Sequence, residues 1–255
     1  MQGAQLRLRA YHANRSGRSA GPLVIVLPGF NRTVQSLAAW VDAVSRVFET
    51  VLLEQPGQGG SETPATAGLE TLVTELRAAV ANVTALPVIL VGESLGGLVA
   101  LAIAADPPAN LLAVMAVDPP LTPASQPHLV AASRIVLNEH PNDTYLAAIS
   151  RSVLGIGPRG EHAAPRAHVP LVMAAKAPTL LVTGDIDLAD PRATGVFART
   201  IDNAELQHLQ AAAPKNVTVR VIPGAGHAVL SDQPAAALDL LRTFVAPATM
   251  PVAPL

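Results

Sequence analysis

Six short, β-branched-rich apolar runs recur along the chain: Leu23 to Leu27, Thr50 to Leu53, Val88 to Val91, Leu111 to Val117, Thr179 to Thr183 and Val217 to Ile222. Most are separated by segments whose apolar residues return with helical period, at Val34 to Phe48, Leu69 to Val83, Leu95 to Ala105, Thr194 to Ala212 and Pro234 to Val245. A strand that is apolar without alternation is buried on both faces, and amphipathic helices between such strands supply the cover. The expected fold is therefore α/β: a mostly parallel central sheet with helices on both faces. Ahead of the first run, Leu6, Leu8 and Ala10 alternate with Gln5, Arg7 and Arg9, and Arg15-Ser16-Gly17-Arg18 has turn composition. That pattern predicts an antiparallel hairpin at the sheet edge.

One interval departs from the rhythm. Leu121 to Lys176 separates two strands by more than fifty residues, beyond an ordinary connection. Its first part, Ser125 to Ser150, has helical spacing, while Gly155 to Pro170 is rich in Gly, Pro and His. Residues 1–120 and 177–255 are thus expected to form the core, and 121–176 a small, mainly helical cap over the carboxyl ends of the strands. The tail from Pro247 to Leu255 is expected to fray.

Composition narrows the partners. Lys and Arg number 17 against 19 Asp and Glu, a net charge of -2, so no basic footprint for nucleic acid or anionic lipid exists. Half of the residues are hydrophobic, but 46 are alanines, and no apolar stretch approaches the length of a membrane span. Absence of cysteine removes disulfides, thiolate metal sites and cysteine nucleophiles together. Met1 to Arg18 lacks the apolar core of a secretory signal, so a cytoplasmic location is expected. The high apolar fraction is compatible with a homodimer.

Chemistry must then rest on serine, histidine and carboxylates. The run Val88 to Val91 leads into Gly92-Glu93-Ser94-Leu95-Gly96-Gly97 and an apolar helix, placing a G-x-S-x-G between strand and helix. Ser94 would occupy a strained turn where side chains at Gly92 and Gly96 would collide with backbone. The free N–H of Leu95, at the helix start, could stabilise an oxyanion.

The chain resembles serine hydrolases of the α/β-hydrolase superfamily across nearly its whole length. Their order is nucleophile, acid, histidine, and here Ser94 is followed by Gly184-Asp185-Ile186-Asp187 and then by Pro223-Gly224-Ala225-Gly226-His227, each just beyond a strand. The resemblance implies a triad of Ser94, Asp187 and His227, with Asp187 selected by the family pattern G-x-x-D. Asp118, in Val117-Asp118-Pro119-Pro120, is the rival acid, since some relatives carry theirs after that earlier strand. The resemblance also places an oxyanion donor in Leu27-Pro28-Gly29-Phe30, assigned to the Phe30 N–H together with that of Leu95. Proline stands there where the family histidine often does. In Gln55-Pro56-Gly57-Gln58-Gly59-Gly60-Ser61, which resembles the family turn P-G-x-G-x-S, Gln58 stands where histidine is common.

The implied activity is cleavage of a carboxylic ester, or of a related thioester, lactone or carbon-carbon bond, in a small acyl substrate without cofactor or metal. A weakly catalytic binding protein on the same scaffold is the alternative. Glu161, His162 and His168 lack ligand spacing for a metal, and His12, His128, His140 and His208 suit surface or packing roles. Phe30, Leu95, Val229 and Met173 are candidates to line an acyl pocket or simply the core.

Overall fold

The computed structural model describes residues 6–14, 21–157, 159, 161, 164, 166–194 and 196–249. Strand β2 (Leu23–Leu27) is buried along its whole length. Alternate residues divide between two cores: Leu23, Ile25 and Leu27 enter one, Val24 and Val26 the other. This is what a two-residue side-chain period produces when both faces are covered.

Strands β1 (Ala10–Ala13), β3 (Glu49–Leu53), β4 (Val88–Glu93), β5 (Leu111–Val117), β6 (Thr179–Gly184) and β7 (Val217–Ile222) complete one seven-stranded sheet. Its order is β1-β3-β2-β4-β5-β6-β7. All pairs are parallel except β1 with β3. An antiparallel edge strand is present, but at Ala10–Ala13 instead of along the alternating Leu6 to Ala10, and it is no hairpin with the next strand, because β3 lies between β1 and β2. The anticipated turn at residues 15–18 lies outside the described residues, as does the tail 250–255.

Helices α1 (Val34–Ser45), α2 (Leu69–Val83), α3 (Leu95–Ala105), α7 (Asn203–Ala212) and α9 (Pro234–Thr249) cover the sheet. From α1, Leu37, Trp40, Val41 and Val44 fill one core; from α2, Leu72, Leu76 and Val80 fill the other. Leu98 and Leu101 of α3 are fully buried, each stabilising the fold by about 1.5–3 kcal/mol.

Helix α7 begins nine residues later than the Thr194 expected from spacing. Asp202 caps it in a reciprocal capping box with Glu205, which satisfies amides that would otherwise be orphaned. Helix α9 extends through Pro247 to Thr249.

Between β5 and β6 the chain leaves the sheet as α4 (Pro127–Glu139), α5 (Thr144–Ile149) and a wide π turn (Ser150–Leu154), and returns through α6 (Val169–Ala174). Asp143 caps α5 by accepting from the Leu146 N–H at 2.8 Å. Val172 of α6 is buried in the same core as α3, so α6 belongs to the layer over the sheet.

Strand order reverses between β2 and β4. In open α/β sheets the crevice at such a switch point, beyond the carboxyl ends of the strands, is where ligands bind. Phe30 follows β2 and Ser94 follows β4.

Candidate active site

Ser94 has φ +53°, a left-handed value rarely adopted by serine, and its side chain sits at the sharp junction of β4 and α3. A Cβ on Gly92 would run into the carbonyl of Gly96, and one on Gly96 into the carbonyl of Leu27. Backbone blocks both positions, so only glycine lets α3 approach β4 and β2 this closely. Strain at a non-glycine residue persists where its surroundings over-determine it. Here the Ser94 N–H donates to Val117 O at 2.8 Å and the Ser94 carbonyl accepts from Leu98 N at 3.1 Å.

His227 follows β7, its N–H donating to Phe197 O at 2.6 Å. Its Nδ1 lies 2.6 Å from Oδ2 of Asp118. Asp118 ends β5, is wholly buried and has φ +39°. Its carboxylate also accepts from Thr183 Oγ1 at 2.6 Å, from Thr200 N at 2.8 Å and from Thr200 Oγ1 at 3.1 Å. The backbone before α7 is thus occupied in holding this carboxylate.

The carboxylate that the structure places against His227 is thus Asp118 and not Asp187. Asp187 does not meet His227: it accepts from Asn203 Nδ2 at 3.0 Å and from Ala189 N at 3.0 Å, and lies 3.7 Å from the Arg199 guanidinium. Asp185 accepts from Gly224 N at 2.7 Å, and Asp190 pairs with Arg192, which holds its carboxyl down at about 2. β5 and β6 are neighbours, so acids at either carboxyl end reach the same edge.

Ser94 and His227 line one cavity of about 200 Å³ together with Phe30, Phe197 and Leu154. Its opposite wall is a single face of α4, with Leu129, Ala132, Ser133 and Val136 at helical spacing. The Phe197 ring lies 5.2 Å from that of His227 and 5.2 Å from that of His128 on α4. Burial pushes the His128 pKa down. Leu95 and Val229 are buried in the two cores and Met173 packs on the first of them, so of the four pocket candidates only Phe30 borders the cavity.

The neighbouring carboxylate, Glu93, also borders the cavity. Burial raises its pKa against the opposing influence of Arg32, whose Nε lies 3.2 Å away. Arg32 in turn donates to Ser231 Oγ at 3.2 Å, linking the loop after β2 to α8 (Val229–Asp232) beyond His227.

Elsewhere, Glu161 accepts from Arg159 N, His168 Nε2 lies 2.8 Å from Val153 O, and His162 is outside the described residues. Among the described residues no His, Asp and Glu group is arranged to hold a metal ion, and no helix is long and apolar enough to cross a membrane.

A mostly parallel sheet whose switch-point crevice carries a strained serine, facing a cavity shared with a carboxylate-paired histidine, defines a class of hydrolase-like α/β proteins. The chain belongs to the alpha/beta hydrolase family, whose model matches residues 24–240. Comparison with curated proteins returned no match. Among solved structures it is similar to a thermophilic esterase from Thermogutta terrifontis, with 19% identity, TM-score 0.65 and coverage of 98% of this chain and 97% of that one. It is also similar to the enol-lactonase from Burkholderia xenovorans LB400, with 18% identity, TM-score 0.63 and coverage of 94% and 97%. A thioesterase domain from the curacin biosynthetic pathway matches with 16% identity, TM-score 0.63 and coverage of 94% and 97%. At these identities the likeness is one of fold.

Proposed function

We propose that this protein is a serine hydrolase that cleaves small carboxylic esters, with Ser94 as nucleophile, His227 as base and then acid, and Asp118 as the carboxylate partner of His227. The observation that carries this reading is the 2.6 Å approach of His227 Nδ1 to the buried Asp118 carboxylate, at the edge of the sheet where Ser94 stands. A neutral His227 that donates Nδ1–H to Asp118 keeps Nε2 as the acceptor for the serine proton.

In the reaction Ser94 Oγ bonds to the substrate carbonyl carbon while its proton passes to His227. The backbone N–H groups of Phe30 and Leu95 hold the oxyanion of the tetrahedral intermediate. The C–O bond to the leaving alcohol breaks as His227 returns the proton, leaving an acyl-enzyme. Water, deprotonated by His227, then releases the acid and regenerates Ser94.

The cavity favours a compact apolar acyl group. At about 200 Å³ it falls below the roughly 300–1,000 Å³ of pockets for drug-sized ligands. Its α4 wall is apolar apart from Ser133. The segment 121–176 acts in this reading as the cap, with α4 over the cavity and α6 returning the chain to the core. Thioesters and lactones present the same carbonyl to the same groups, and the solved structures of similar fold include a lactonase and a thioesterase domain.

The test is a panel of short activated esters, thioesters and lactones with the wild type and Ser94→Ala. Ester cleavage by the wild type that disappears in Ser94→Ala is expected. Absence of turnover across the panel would replace this reading with a binding protein on a hydrolase scaffold.

A further inference from the structure

The loop that carries the Phe30 N–H lacks the histidines that the resemblance would place beside it, and two glutamines occupy its surroundings instead. Gln58 is buried, and its Oε1 accepts from Asn31 N at 2.7 Å. Gln55, fully buried, donates from Nε2 to the Pro28 carbonyl. Between these two anchors lies the Gly29–Phe30 peptide, and its own carbonyl accepts from Arg32 N at 3.2 Å. Because a trans peptide points its C=O and N–H in opposite directions, fixing the Gly29 carbonyl fixes the direction of the Phe30 N–H. The loop abuts the nucleophile: a Cβ on Gly29 would stand 3.1 Å from Ser94 Cβ. Asn31 holds φ +52°, a left-handed conformation that asparagine tolerates better than most residues but that still needs support.

We propose that Gln58 is a positioning residue for the oxyanion hole, holding the Phe30 N–H on the reacting carbonyl through the hydrogen bond that it accepts from Asn31. Gln55 is its counterpart on the other side of the same peptide. This deepens the serine hydrolase reading and rests on it. The design suits a hole that works by preorganisation, since a donor displaced by a fraction of an ångström loses much of its effect on the transition state and little of its effect on the substrate. An amide also carries no titratable proton, so this support does not change with pH.

The experiment compares wild type, Gln58→Met and Gln58→Glu on one short activated ester. Gln58→Met keeps length and loses the acceptor; Gln58→Glu restores an oxygen. The expected result is a fall in kcat of about 10- to 100-fold for Gln58→Met, with KM within about 3-fold of wild type and substantial recovery in Gln58→Glu. A trifluoromethyl ketone, to whose carbonyl Ser94 Oγ adds while its proton goes to His227 and an oxyanion remains, should lose affinity for Gln58→Met by a similar factor. Thermal unfolding checks that each variant is folded. Should Gln58→Met not fold, Gln55→Met carries the same expectation from the opposite anchor. Unchanged kcat and ketone affinity in a folded variant, or a change in KM alone, would overturn the proposal. Wild type without turnover or ketone adduct would instead overturn the serine hydrolase reading beneath it.

Discussion

His227 and Asp118 are 109 residues apart in the chain, and 2.6 Å separates Nδ1 of one from Oδ2 of the other. Three further hydrogen bonds from Thr183 and Thr200 hold the same carboxylate. A carboxylate held by Thr183, Thr200 and His227 together is fixed in place, and it fixes both the tautomer and the tilt of the imidazole.

Replacement of the acid follows directly. Asp118→Asn should lower turnover by about 10⁴-fold, because the amide no longer favours the productive tautomer. Asp187→Asn should change turnover by less than about 3-fold and act on stability instead, since Asp187 faces Asn203 and Arg199. Steady-state kinetics of the two variants side by side make the check; a severe loss in Asp187→Asn with little in Asp118→Asn would restore Asp187 as the acid.

The α4 wall should set acyl length. Val136→Phe adds bulk to a cavity of about 200 Å³, so the longest acyl chain accepted should shorten while acetate esters retain activity within about 3-fold. A series of p-nitrophenyl esters from acetate to dodecanoate reads this out. An unchanged chain-length profile would remove α4 from the acyl pocket.

Much of the fold is legible in the sequence. The six apolar runs are strands, and the strand–turn–helix around Ser94 has the glycine contacts expected of it. What escaped shares a cause, which is that long-range partners leave no local trace. Leu6 to Ala10 alternate like half of a hairpin, yet the strand forms over the next residues and β3 intervenes, because Ala10 pairs with Leu53 and Ala13 with Thr50. Helical spacing continues back to Thr194, but Asp202 starts α7 and Thr200 is claimed by Asp118. A motif counted forward from β6 selects Asp187, although it is Asp118, at the carboxyl end of the neighbouring β5, that reaches the histidine. The supports at Gln55 and Gln58 are glutamines in a turn, and nothing in their spacing announces Pro28 and Asn31 as partners.

The contribution of His128 and His168 to stability should rise with pH through the histidine range. Burial holds His128 and His168 below the ordinary value of 6.5 in the folded protein. The unfolded chain therefore binds more protons as pH falls through 6.5, and stability is lost from there down to the folded pKa values. Burial of Glu93 and Glu205 acts in the opposite sense in both proteins, so the check is the difference: from pH 8 to pH 5 the melting temperature of wild type should fall relative to that of His128→Gln. An identical slope in the variant would show that His128 does not contribute.

The central claim is that Ser94 is acylated. Intact-mass measurement within the first turnovers of a slowly deacylated short-chain ester should show wild type heavier by one acyl group, with the mass on the peptide containing Ser94. Ser94→Ala should remain unmodified and lose on the order of 10⁶-fold in turnover. Equal turnover in both proteins, or an acyl group on another residue, would contradict the account.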